Sequence, residues 1–312
     1  MNRRLVDEIA AAVLYEGYIL YPYRPSALKN RQRFNFGVVS PRGDRQTGDG
    51  GWCIRTECLV RAAGTCELEV NVRFLQLTSR TGESPAWQEA IERDVPSRAL
   101  LDDLCAAPVR RPFGWPAEPG VHESLAGEIE VSAWRAAEGV FKIAVRIANL
   151  TPGQARGLVR DALIQHALLS THAVLHVENG EFVSLLDPPA DVQAAAAGCH
   201  NAGLWPVLVG DEADRDAVLA SPIILYDHPR IAAESAGDFF DGTEIDEMLV
   251  LRILTMTDEE KREMRDGDPR ARHLLDRTET LPPDNLMRLH GVLRIPNSDT
   301  GTPTRGGGSR DE

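Results

Sequence analysis

With 312 residues, 43% of them apolar and 26% charged, the chain has the composition of a soluble globular protein with room for two cores. Its formal charge of −13 excludes a general binder of nucleic acid or of anionic membrane, because the summed field repels phosphate. No apolar run approaches the roughly 18 residues of a membrane span. The N-terminal Met1-Asn-Arg-Arg is followed by acids instead of the apolar core of a signal peptide, and five cysteines without paired spacing point to reduced thiols in a cytoplasmic protein.

In chain order, Leu5, Ile9, Ala12 and Val13 recur at helical spacing and predict a helix over 3–14, with Gly17 as its C-terminal cap. A strand at 18–21 follows, and Pro22 and Pro25 stiffen a corner around Tyr23-Arg24, with Ser26 placed to cap a turn over 27–30. Phe34, Phe36 and Val38 alternate as in a strand, and 40–51 reads as a loop. Cys66, Leu68, Val70, Val72 and Phe74 line one side of a clear strand, which is expected to pair with 52–61 across the turn at 62–65. Short helices are expected at 86–93 and 98–105, then a proline-rich connector. A hairpin joins 128–136 to 140–150 through Glu138-Gly139, with Phe141, Ile143, Val145 and Ile147 inward.

Composition shifts at Thr151-Pro152, which open a helix to about 169. Strands at 173–177 and 182–186 read as a hairpin around Asn179-Gly180. A helix at 190–200, a strand at 205–209, a helix at 214–219 and a strand at 222–226 come next. Thr257-Asp-Glu-Glu260 and Thr243-Glu-Ile-Asp246 have the capping-box pattern and predict helices at 258–266 and 244–255; further helices are expected from Pro269 to about 278 and over 284–290. The expected class is therefore α+β: an antiparallel β-rich unit with an N-terminal helix over 1–150, an α/β unit with a helical C-terminal part over 151–296, and a disordered polar tail over 297–312.

Four of the five tyrosines lie between residues 15 and 23, followed by Arg24, Lys29, Arg31 and Arg33. Rings beside guanidiniums compose a contact surface, with Tyr21, Tyr23, Arg24, Lys29 and Arg31 as the candidate partner-binding residues. The same residues equally suit a packed arrangement in which hydroxyls are satisfied and cations meet the surplus carboxylates. Cys53 and Cys58 are five residues apart, so on a strand they face opposite sides roughly 17 Å apart, too far for one metal. His172 and His176 share a face of a predicted strand but stand roughly 13 Å apart. Asp227-His228 ends a predicted strand and is followed by Asp238 and Asp241, a set of oxygen and imidazole donors suited to a hydrolytic metal site. As structure, Asp241 is simply an acid at a helix start.

Tyr15-Glu-Gly-Tyr18, Tyr21-Pro-Tyr-Arg-Pro-Ser26, Lys29-Asn-Arg31, Ser221-Pro-Ile-Ile-Leu-Tyr-Asp227 and Phe240-Asp-Gly-Thr-Glu-Ile-Asp-Glu-Met-Leu249 resemble a family of uncharacterised bacterial proteins. The family is associated with gene clusters for high-affinity nickel-iron uptake hydrogenases of actinobacteria, and the similarity spans residues 3 to about 290. The resemblance implies an accessory role in assembly, maturation or coupling and transfers no catalytic residue. The expectation is a non-catalytic, cofactor-free protein that docks on a hydrogenase subunit or maturation factor. The alternatives are a metal-dependent hydrolase at Asp227/His228 and a small-molecule binder in a cleft between the halves.

Overall fold

Antiparallel strands between residues 53 and 221 build a two-layer β-sandwich. The computed structural model describes residues 3–20, 22–24, 27, 30, 33–42, 51–78, 89–152, 160–230 and 246–282. The strands are β1 (Cys53–Arg61), β2 (Glu67–Leu77), β3 (Ala90–Leu100), β4 (Val109–Trp115), β5 (Leu125–Ala137), β6 (Val140–Asn149), β7 (Leu169–Glu178), β8 (Glu181–Val183), β9 (Trp205–Leu208) and β10 (Ala217–Ser221). Five form a sheet in the order β4-β5-β6-β1-β8 and five a second in the order β3-β2-β7-β10-β9. Every pairing between these strands is antiparallel. The helices are α1 (Arg3–Tyr15), α2 (Leu101–Ala106), α3 (Arg160–Leu163), α4 (Gln193–Ala197), α5 (Asp246–Leu254), α6 (Asp258–Asp266) and α7 (Pro269–Glu279). The class is α+β.

Period-two alternation decides what each strand buries. Leu68, Val70, Val72 and Phe74 of β2 meet Ile129, Val131, Ile143, Val145 and Ile147 of β5 and β6 in one inter-sheet core. Phe74, Phe113 and Trp115 cluster at its margin with ring centroids 5.6–5.7 Å apart, worth about 0.5–1.5 kcal/mol per pair beyond burial. The second sheet's outer face is covered: Val6, Ile9, Ala10 and Val13 of α1 pack on Val207, Val209, Ala217 and Leu219. Further along, Leu75, Leu77 and Leu169 meet Leu249, Ile253, Leu274 and Leu275 of the C-terminal helices.

The predicted β5–β6 hairpin and the helices over 3–14, 258–266 and 269–278 form. Thr257 and Glu260 complete both halves of the capping box, and Asp268 caps α7 ahead of Pro269. Other expectations are corrected. β1 and β2 do not pair; each lies in a different sheet, because both point one apolar face into the same core. Asn179-Gly180 likewise carries the chain between sheets, β7 pairing with β2 and β10 while β8 pairs with β1. Of the expected helix at 86–93, residues 86–88 lie outside the described residues and 90–93 belong to β3, whose single neighbour β2 leaves room for Pro96 on an edge strand. The helix over 98–105 shrinks to α2, and the proline-rich connector is the edge strand β4. The helix at 214–219 is replaced by β10, and 222–226 is not a strand. Neither 18–20 nor 34–38 forms one; the second segment meets β7 through the bridge Val39–Leu168 and through the Phe36 and Gly37 carbonyls, which accept the Ser170 and Thr171 amides. Gly37 (φ +54) lets it lie against β7, since a Cβ there would come within 2.6 Å of the Thr171 nitrogen.

A boundary at residue 150 cuts through both sheets, since β8 completes the first and β7, β9 and β10 the second. Asn149 seals the junction, donating to the carbonyls of Val39 and His166 at 2.8 Å and accepting from the Thr151 amide. The helix expected from 151 to 169 is reduced, among the described residues, to α3 and a 3₁₀ turn at Ile164–His166. The expected helix at 284–290 and the tail at 297–312 lie outside the described residues. Among the described residues no helix is long and apolar enough to cross a membrane.

His172 faces outward from the second sheet opposite Arg73 and is fully buried, its Nδ1 within 2.9 Å of the Ser170 carbonyl and its Nε2 without a hydrogen-bond partner. Burial pushes its pKa down from 6.5 to about 4. The unfolded chain therefore binds the proton first, and stability falls as pH drops from 6.5 through 4. The expected loss is roughly 3 kcal/mol. Urea melts across this window will show the loss in the wild type and a flatter curve in His172→Gln.

Candidate docking surface

The aromatic stretch near the N-terminus turns inward. Tyr18 and Tyr23 are fully buried and Tyr15 nearly so. The Tyr18 hydroxyl donates to Asp268 Oδ2 at 2.8 Å, across 250 residues of sequence, while the Tyr15 hydroxyl donates to Glu92. Burial first, and the carboxylate beside each hydroxyl second, raise both phenol pKa values well above the usual tyrosine range. Arg270 lies 4.1 Å from the Tyr15 ring centroid; Arg33 is buried over Phe34 at 4.7 Å, and desolvation lowers its pKa to about 10. Asn30 ties the intervening loop, holding the Leu20 amide and carbonyl at 2.8 Å each and the Arg24 carbonyl at 3.0 Å.

The expectation that Tyr23 and Arg24 face outward is corrected. The Tyr23 side chain is buried in the same core cluster as Tyr18 and Leu249, and Arg24 pairs with Glu260 at 3.2 Å and Glu263 at 3.7 Å on α6. The reason is electrostatic as well as apolar: the C-terminal helices present carboxylates where the stretch presents hydroxyls and cations. Tyr21, Lys29 and Arg31 lie outside the described residues.

Asp227 and His228 have structural bonds. Asp227 accepts the Ser184 hydroxyl at 2.5 Å on one oxygen and the Leu208 amide at 2.8 Å on the other. The His228 amide donates to the Leu208 carbonyl at 2.7 Å, and its backbone is left-handed (φ 53). These two residues thus satisfy the outer edge of β9 at Leu208, as a neighbouring strand would. Asp238 and Asp241 lie outside the described residues. Among the described residues, no group of three or more histidine, cysteine or acidic side chains is placed to hold a metal. Cys58 lies in the inter-sheet core, where burial drives its thiol pKa up.

What Asp227 holds in place is an apolar strip. Ile223 and Leu225 turn toward the α1 layer, while Ile224 and Tyr226 stand out, 82% and 85% exposed. Ser184 also accepts the amides of Leu186 and Asp187, so the turn bearing Leu186 (56% exposed) is joined to the same carboxylate. Trp205, 40% exposed, pairs in register with Ser221 at the start of the strip. Large side chains left in water on a pinned backbone are suited to burial against another surface, because little ordering entropy remains to be lost. The sequence reading missed this site because four consecutive apolar residues, Ile223 to Tyr226, looked like a buried strand; the adjoining aspartate was the available signal that the segment is an edge cover. Comparison with protein-family models and with curated proteins finds no match for this chain.

Two outcomes are expected. Tyr18→Phe removes a buried hydrogen bond to a carboxylate and lowers stability by about 1–3 kcal/mol, whereas Tyr226→Phe leaves the thermal midpoint unchanged. Asp227→Ala strands the Leu208 amide and the Ser184 hydroxyl and costs about 1–3 kcal/mol, while EDTA leaves the wild-type midpoint where it was; calorimetry reads both.

Proposed function

We propose that the chain is a non-catalytic accessory protein that works by docking on another protein, with Ile224, Tyr226 and Leu186 as the central contacts and Trp205 at the margin. The single observation that carries this reading is the pair Ile224 and Tyr226, both more than four-fifths exposed on a segment whose backbone is hydrogen-bonded to β9. Tyrosine in such a position is a typical anchor of protein interfaces, combining a large ring with a hydroxyl. The partner we propose is a nickel-iron hydrogenase subunit or a maturation factor. Support for that choice is the resemblance of Ser221-Pro-Ile-Ile-Leu-Tyr-Asp227 and its companion motifs to the hydrogenase-associated family, so the strip and the resemblance fall on one segment. Tyr21, Lys29 and Arg31 join the proposal as a second contact on sequence grounds. Five unpaired cysteines fit a reducing cytoplasm as the place of action. The hydrolase alternative draws no support from Asp227, both of whose oxygens serve donors of this chain.

The test is affinity purification of the tagged full-length chain from its native host, read by mass spectrometry. The wild type is expected to retain a hydrogenase subunit or maturation factor, and Ile224→Asp/Tyr226→Ala to lose it at least tenfold, with a stability change within about 0.5 kcal/mol because both side chains are exposed. Equal recovery by the double variant, or a wild-type sample without any hydrogenase component, overturns the proposal.

A further inference from the structure

The two sheets are covered unequally. On the outer face of the first, the α4 segment packs on β1, β8 and the start of β6, where Leu59, Val140, Val183, Val192 and Ala196 cluster. Toward β5 and β6 a recess of about 400 Å³ remains, within the size range of small-molecule sites. Its floor is made of the short side chains Ser132 and Ala144, paired across β5 and β6, and one wall runs from Leu104, in the last turn of α2, to Pro108.

Two features of this recess point to a ligand. Arg146 on β6 lies directly opposite Arg55 on β1 and, on its other side, Glu130 on β5, and Arg55, Arg146, Lys142 and Arg110 together outnumber the carboxylates Glu57 and Glu130 among them. The neighbouring carboxylates are engaged: Glu57, whose side chain is 1% exposed, holds Arg55 and also Lys142 at 3.3 Å, and Glu130 holds Arg110 at 2.8 Å. Arg146, half-buried, lies 5.0 Å from the Trp52 ring centroid and has no carboxylate partner among the described residues. At the other end stands Trp134, 45% exposed, with Lys142 Nζ 5.4 Å from its ring centroid. Trp134 is four residues along β5 from Glu130, the residue in register with Arg146, hence roughly 13 Å of strand. Arg55, Arg146 and Trp134 nevertheless line one recess, together with Ser132, Ala144 and Glu130.

We infer that this recess binds a small aromatic anion, a ring bearing a carboxylate or phosphate. The acid takes the forked hydrogen bonds of Arg146 and Arg55, and the ring lies against Trp134 over Ser132 and Ala144. No residue of the Leu186–Tyr226 strip is involved, so this site stands independently of the docking proposal.

Isothermal titration of the full chain with phenylacetate and with phenyl phosphate tests it, alongside acetate, inorganic phosphate and benzyl alcohol. Saturable 1:1 binding of either ring-bearing anion is expected, at least tenfold tighter than its ring-free counterpart or the neutral alcohol, and weaker at high salt. The tighter of the two identifies the acid. Arg146→Ala is expected to weaken that binding tenfold or more and Arg146→Lys less. Trp134→Ala, at an exposed position, removes the preference for the ring and leaves the fold intact by circular dichroism. Absence of saturable binding by both ring-bearing anions overturns the inference, as does equal binding of ring-free anions or unchanged binding by Arg146→Ala and Trp134→Ala.

Discussion

The pairing of β2 with β7 is the constraint on which the rest of the molecule depends. It joins Glu67–Leu77 to Leu169–Glu178 across roughly a hundred residues and makes β7 an inner strand of the second sheet. In this register Val70 stands beside Leu175 and Val72 beside Ala173, all facing the core, while Arg73 and His172 share the outer face. A slip of one residue would exchange the faces, driving Arg73 and Glu69 into the sandwich and exposing leucine and valine. Only with this register does the outer surface offer α1 an apolar bed of Val174, Ala217 and Leu219.

That bed in turn determines the fate of the tyrosine stretch. Once α1 lies on the second sheet, Gly17 (φ +71) turns the chain toward the C-terminal helices, where Asp268 serves two donors at once. It caps α7 through the Arg270 amide at 2.7 Å and accepts the Tyr18 hydroxyl. A buried carboxylate is costly unless hydrogen-bonded, and here the helix start and the phenol supply the bonds. The N-terminal segment and α6–α7 are therefore one packed layer.

Burial is incomplete at two places. The second sheet is covered by α1 and the C-terminal helices, whereas among the described residues the first keeps a recess toward β5 and β6 with cations and an indole around its floor. At the β9 edge, Asp227 and His228 replace a missing neighbour strand and carry outward-facing Ile224 and Tyr226 with them. The two exposures differ in chemistry, one an apolar strip and the other a recess lined by cations, and so suit different partners.

What could be read from the amino-acid sequence was what depends on near neighbours. The capping box at Thr257–Glu260, the Asp268-Pro269 helix start and the Glu138-Gly139 turn each place their partners within a few residues, so local geometry suffices. The alternation in β2, β5 and β6 likewise revealed an inner and an outer face. It did not reveal which strand lies alongside, and sequence-adjacent β1 and β2 went to opposite sheets because a shared apolar face is satisfied equally by pairing or by stacking. Nor did composition distinguish a buried tyrosine cluster from a displayed one. Rings and guanidiniums suit either, and only the arrival of Glu92 and Asp268 from distant parts of the chain settled it. Short-range bonding is written in the order of residues; burial and electrostatic partnership are properties of the assembled tertiary structure.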